Sequence, residues 1–86
     1  MITADTITDE QIMALRAELV SEIARLRSTP EAWTMPLDKA LHETDWALSR
    51  GWGFVTDATA NRDTRDRRRA ARARCAEILN ARKAAT

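Results

Sequence analysis

The sequence predicts an all-α fold, a small three-helix bundle with a short extra turn near residues 30–35, and three observations predict it. The first is composition. Sixteen Ala and seven Leu stand against two Gly, two Pro and no Tyr in 86 residues, a mixture rich in helix formers and poor in breakers. The second is periodicity, with apolar residues recurring every three or four positions along long stretches. The third is punctuation. Caps and breakers divide the chain into helices over about 8–27, 36–50 and 59–84, read as a single helical domain spanning residues 1–86. Twenty-one large apolar side chains suffice for one small core, or for a helical surface that a partner completes.

The first helix has a strong start. Thr8 suits the N-cap, Gln11 stands three residues later as its capping-box partner, and Ile7 and Ile12 are placed to form a hydrophobic staple. Asp9 and Glu10 put negative charge at the positive end of the helix dipole. Ile12, Leu15, Leu19, Ile23 and Leu26 share one face, while Met13, Ala17, Val20 and Ala24 form a weaker second strip, so this helix is expected to touch two neighbours. Ser28-Thr29-Pro30 ends it.

Thr29-Pro30-Glu31 is itself a start signal, but Pro36 soon interrupts. Residues 30–35 therefore read as one short turn, with Trp33 and Met35 covering the end of the core. In the second helix Leu37, Ala40, Leu41, Thr44, Ala47 and Leu48 share a face, and Gly51 suits the left-handed position after Arg50. Trp52, Phe54 and Val55 make an apolar link to the third helix, whose start is poorly marked. There Ala71, Cys75, Ile78 and Leu79 fall on one side, so its core contact is expected mainly in the second half. The expected core is Ile12, Leu15, Leu19, Ile23, Leu26, Leu37, Leu41, Leu48, Phe54, Ile78 and Leu79.

The net charge of +1 hides an asymmetry. Residues 1–45 carry nine acids and four bases, net −5, and residues 46–86 carry ten bases and four acids, net +6. Such halves can attract within one monomer, join two copies, or face different partners. The basic half peaks at RDTRDRRRAARAR, residues 62–74, with seven Arg and two Asp. On a helix Arg62, Arg65, Arg69 and Arg72 line one stripe with Arg68 at its edge, and Arg67 and Arg74 point elsewhere. Asp63 and Asp66 are placed for local ion pairs with Arg67 and Arg69. Two readings stand: a solvated helix laced with ion pairs, or a surface facing an anion, to which the planar guanidinium is suited. A nucleic-acid binder usually has a basic excess over the whole domain, and this chain has almost none.

Trp46 lies opposite the apolar face of the second helix, among Asp38, His42, Asp45 and Ser49. Either the third helix or the 51–55 link covers it, or it anchors a partner, as interface Trp residues often do. Asp38, His42 and Asp45 share one side of the helix, but no second His exists to complete a metal site, and none is expected. No cofactor motif is present. His42 has no evident nucleophile beside it, and Cys75 reads as a small buried residue, so the chain is expected to be no enzyme. One cysteine excludes an internal disulfide and fits a reducing compartment. No apolar run is long enough to span a bilayer, and the acidic N-terminus lacks a signal-peptide core. The expectation is a cytoplasmic protein with no membrane partner, and the small core is compatible with a homodimer.

The opening TITDEQIMALRAELV, residues 6–20, resembles the starts of many small proteins encoded by phages and mobile elements. The ending ARARCAEILNARKAA, residues 71–85, is similar to their last helices, and the two stretches cover about a third of the chain. The resemblance implies an accessory role. Small all-α phage proteins often block a host machine by binding it, anti-CRISPR proteins being the best-known class, and they share no catalytic motif. The expected function is thus a non-enzymatic inhibitor of a host protein or nucleoprotein complex, in the cytoplasm of the host cell. Arg65, Arg68, Arg69 and Arg72 would pair with acidic groups and Trp46 would anchor. In a variant of this reading the acidic Glu18, Glu22, Asp38 and Asp45 mimic nucleic acid. The other classes are a DNA- or RNA-binding regulator working through the third helix, and a structural assembly protein.

Overall fold

The computed structural model describes residues 1–48 and 65–85 in full, and residues 62–64 by their backbone. Three helices follow an N-terminal arm: α1 (Asp9–Arg27), α2 (Met35–Leu48) and α3 (Arg62–Ala85). The expectations for Arg50 and Gly51 as the end of α2, for Phe54 in the core, and for the link around Trp52 lie outside the described residues.

α1 begins as its sequence dictates. The Gln11 N–H donates to the Thr8 hydroxyl at 3.1 Å, and the Thr8 N–H donates to Gln11 Oε1 at 2.9 Å. At the other end the Ser28 hydroxyl donates to the Arg25 carbonyl at 2.6 Å, satisfying one of the last free carbonyls. The chain then turns, with the Ala32 N–H bonded to the Thr29 carbonyl at 3.1 Å. Thr34 caps α2: its carbonyl accepts from Leu37 and Asp38, and its hydroxyl donates to Asp38 Oδ2 at 2.9 Å. Pro36 is tolerated in this first turn because its missing N–H would have had no helical acceptor.

α2 is the central element and packs along both α1 and α3, which meet each other over a shorter stretch. Arg16–Asp45 and Arg27–Asp38 pair early with late residues, so α1 and α2 run antiparallel. Arg72–Asp9 and Arg82–Glu22 pair early with early and late with late, so α1 and α3 run parallel. The result is an up-down-up arrangement of 44 × 29 × 18 Å.

Ile12, Leu15, Leu19 and Ile23 are buried, as the period of α1 predicts. Ile7, Thr44, Ala47, Ala71, Cys75 and Ala76 are buried with them. Thr44 is tolerated there because its hydroxyl donates to the Leu41 carbonyl at 2.6 Å. Leu37, Leu41, Leu48, Ile78 and Leu79 are half-buried around this centre, and so is Leu26. The small residues of α3 let its backbone approach closely, so the middle of α3 contributes to the core as well as its second half.

Two expectations are corrected. Trp33 and Met35 do not cover the core; they are 73% and 51% exposed. Residues 32–34 lie between the turn and α2, where Ala32 and Thr34 are half-buried and Trp33 is exposed, the alternation of an extended backbone. The second strip of α1 is not buried by a neighbouring helix among the described residues: Met13, Ala17, Val20 and Ala24 are all exposed. Ile12, Leu15 and Leu19 serve both neighbours, sharing one core cluster with Ala47 of α2 and with Ala71 and Cys75 of α3, and Ile23 is buried farther along the same stripe.

The arm supplies the remaining cover. A turn at its start is held by the Ile7 N–H on the Thr3 carbonyl at 2.9 Å and the Thr3 N–H on the Thr6 hydroxyl at 2.8 Å. Farther along α3, Asn80 clasps Ile2 twice. Its amide donates to the Ile2 carbonyl at 2.8 Å and its oxygen accepts the Ile2 N–H at 3.0 Å, the way one strand pairs with another.

Candidate functional site

The arginine stretch meets anions of its own chain. Arg67 grips Glu43 of α2 with both terminal nitrogens, one at 2.9 Å. Arg69 pairs with Asp5 of the arm at 2.9 Å. Arg72 reaches three elements: Asp9 of α1 at 2.9 Å, the Ile7 carbonyl at 2.7 Å and the Ala47 carbonyl at 3.3 Å. In place of the local pair expected from Asp66, Arg69 takes Asp5, and the pair expected from Asp63 to Arg67 lies outside the described side chains. For Arg67 the partner is a bidentate fork on the half-buried Glu43 carboxylate, whereas Arg69 and Asp5 are both exposed. Arg65 and Arg68 are exposed and have no ion pair among the described residues. Of the four arginines expected to face a partner, these two are the ones left open.

The acidic residues are similarly engaged. Glu22 accepts both terminal nitrogens of Arg82, at 2.8 and 3.0 Å, and Glu18 accepts one of them at 3.3 Å. The Arg82 guanidinium holds the Glu22 carboxyl below its ordinary pKa, and Glu22 in turn raises that of Arg82. Asp45 pairs with Arg16 at 2.9 Å, and Asp38 with Arg27 at 3.5 Å. Arg67, Arg69, Arg72 and Arg82 of the basic half pair with acids of the first half, so part of the charge asymmetry joins the two.

Trp46 packs partly buried against the core, and the Arg67 guanidinium lies 4.9 Å from its ring centroid. The Glu43 bond fixes Arg67 over the ring and raises the Arg67 pKa. Glu43, Trp46 and Arg67 form one stack, in which α3 covers the tryptophan through a cation–π contact.

The residue that sequence reasoning placed wrongly is Trp33. It borders a groove of about 510 Å³ between the start of α2 and the middle of α3. Met35, Pro36 and Ala40 give the groove an apolar floor, and Lys39 and Arg74 give it cationic walls. Glu43 also lines it, but its carboxylate is taken by Arg67. Arg74 touches Glu77 at 2.9 Å, an exposed pair one turn along the helix. The signal that could have found this site was the shortness of the 29–34 link, which leaves Trp33 in an extended segment and on no helical face.

Cys75 is buried, and burial, with the nearby negative charge of Glu43, pushes its thiol up to about 11. The thiol is therefore a packing group at neutral pH. His42 is exposed on α2. Among the described residues no group of three or more His, Cys, Asp or Glu side chains could hold a metal ion, and no helix is long and apolar enough to cross a membrane. No protein-family model matches the chain, and comparison with curated proteins and with solved structures finds no match.

Proposed function

We propose that the protein is a non-catalytic binding protein that blocks a host protein or nucleoprotein complex by occupying part of its surface. This is the role implied by its resemblance to phage and mobile-element proteins of the anti-CRISPR kind, and the cytoplasmic setting belongs to the same proposal. The observation that carries the reading is Trp33, 73% exposed beside Met35 at the edge of an open groove. Large exposed apolar residues rimmed by polar ones mark interaction sites, and tryptophan dominates the energetics of many such sites. The walls are Lys39 and Arg74, so the contacted surface is acidic around an apolar centre. Arg65 and Arg68 are exposed on a different face of α3 from Arg74 and form a separate cationic area.

The test is a pull-down from nuclease-treated lysate of the natural host, comparing the wild type with Trp33→Ala and with Arg65→Glu/Arg68→Glu. One stoichiometric protein complex that survives nuclease and is lost with Trp33→Ala supports the reading. Loss of every partner on nuclease treatment, with Trp33→Ala indistinguishable from wild type, would overturn it. It would favour nucleic acid bound through Arg65 and Arg68, a mode that weakens steeply with salt. The nucleic-acid-mimic variant has less support, because Glu18, Glu22, Asp38 and Asp45 all face cations of the same chain.

A further inference from the structure

The exposed strip of α1 has the spacing of a helix-pairing seam. Met13, Ala17, Val20 and Ala24 follow one another at intervals of four, three and four residues, the alternation that places side chains along one seam of a coiled coil. Glu10 lies three residues before the strip and Arg27 three after it, so the same spacing continues into a charge at each end. Met13 and Val20 are 42% and 43% exposed, and Ala17, Ala24, Glu10 and Arg27 are exposed as well.

We propose that this face is the interface of a homodimer in which α1 of one copy lies antiparallel to α1 of the second. Each layer of such a pair joins positions whose numbers add to the same value. Met13 then meets Ala24 of the other copy, Ala17 meets Val20, and Glu10 meets Arg27. Every apolar layer sets a large side chain against a small one, which lets the helices close evenly. Both ends carry opposite charges in contact. A parallel pair would instead place Glu10 on Glu10 and Arg27 on Arg27, and would stack large on large and small on small. Charge therefore selects the antiparallel orientation, and a two-fold axis makes the face self-complementary. Ala14 and Ser21, which flank the seam, are short and uncharged, so nothing on that side holds the second helix away. Arg27 keeps only a long contact to Asp38, 3.5 Å with 67% of its side chain exposed, and is available to Glu10 of the second copy. The groove at Trp33 belongs to other elements, so this dimer neither requires nor excludes the function proposed above.

Sedimentation equilibrium of the full chain, from about 10 µM to about 1 mM, tests the pairing. The mass is expected to rise with concentration from 9.7 kDa towards twice that value. Val20→Glu should hold it at the monomer value with an unchanged melting temperature. Glu10→Lys should weaken dimerisation at least severalfold, and Glu10→Lys/Arg27→Glu should restore it. Orientation is read by disulfide trapping, with Cys75 buried out of reach. An equimolar mixture of Met13→Cys and Ala24→Cys should cross-link, while Met13→Cys alone should not, its two copies lying about 16 Å apart along the axis at 1.5 Å per residue. A monomer mass over the whole range overturns the dimer. Self-linking of Met13→Cys without the mixed product overturns the antiparallel register.

Discussion

The Arg72 guanidinium donates to the Ile7 carbonyl at 2.7 Å, a bond that joins positions 65 residues apart. The same side chain, 22% exposed, holds Asp9 and the Ala47 carbonyl. One arginine thus ties the arm, the start of α1 and the end of α2 to α3. Arg72→Ala is expected to destabilise the fold by about 1.5–3 kcal/mol, the usual range for bonds involving a charged group. That is a fall in melting temperature of roughly 4–8 °C per kcal/mol for a domain of this size. Arg72→Lys should recover only part, since an ammonium cannot divide itself among three acceptors. A wild-type melting curve for Arg72→Ala would show the three bonds to be ornamental.

Acid should weaken the joint between α1 and α3. Glu22 has its pKa lowered in the folded state by Arg82. Such a group adds stability above its unfolded pKa, near 4.3, and loses it as pH falls through the lower folded value. Urea midpoints of wild type and Arg82→Ala are therefore expected to differ most near neutral pH and to converge as pH falls through the lowered folded value. A gap that stays constant with pH would mean that Arg82 acts by packing alone.

Cys75 offers a probe of opening. With its thiol near 11 in the folded state, against an ordinary value of about 8.5, the thiolate population at pH 8 is lower by roughly two orders of magnitude. Burial adds to this protection. Labelling by a disulfide reagent should be slow in buffer and fast in urea. The raised value also predicts stability that is complete below about pH 8.5 and declines as pH climbs towards the folded value. Rapid labelling of folded protein would contradict the buried placement.

The two tryptophans should respond in opposite ways. Trp46→Ala removes a half-buried ring under Arg67 and is expected to cost about 1–3 kcal/mol, less than the 3–5 of a fully buried aromatic. Trp33→Ala touches an exposed side chain and should change stability by no more than about 0.5 kcal/mol while abolishing partner capture. If Trp46→Ala instead folded normally and lost the partner, the docking surface would move to the middle of α2.

What could be read from the residues alone follows the range of the forces involved. The Thr8–Gln11 capping box and the Ile12-Leu15-Leu19-Ile23 stripe are set by neighbours within a few positions, and both are present as the sequence predicts. Trp33 was misjudged because hydrophobicity argues for burial, whereas its direction depends on how residues 32–34 leave a turn. The partners of the arginines are set at longer range. Asp66 is close to Arg69 in sequence, but Asp5 reaches it through the fold, and no local spacing rule contains the arm. The open groove shares this origin, since Arg74 closes it from more than 30 residues beyond the other residues that line it.

The Ile2–Asn80 clasp spans 78 positions, and that separation governs when it can form. A contact closing so long a loop gains little until the helices between its ends have already collapsed, because closure entropy comes first and the reward comes after. The arm is therefore expected to dock last, outside the folding nucleus. Bonds made after the barrier slow escape from the native state while leaving the rate of arrival unchanged. The clasp is then expected to act as a latch, with Asn80→Ala speeding unfolding and leaving the refolding rate unchanged.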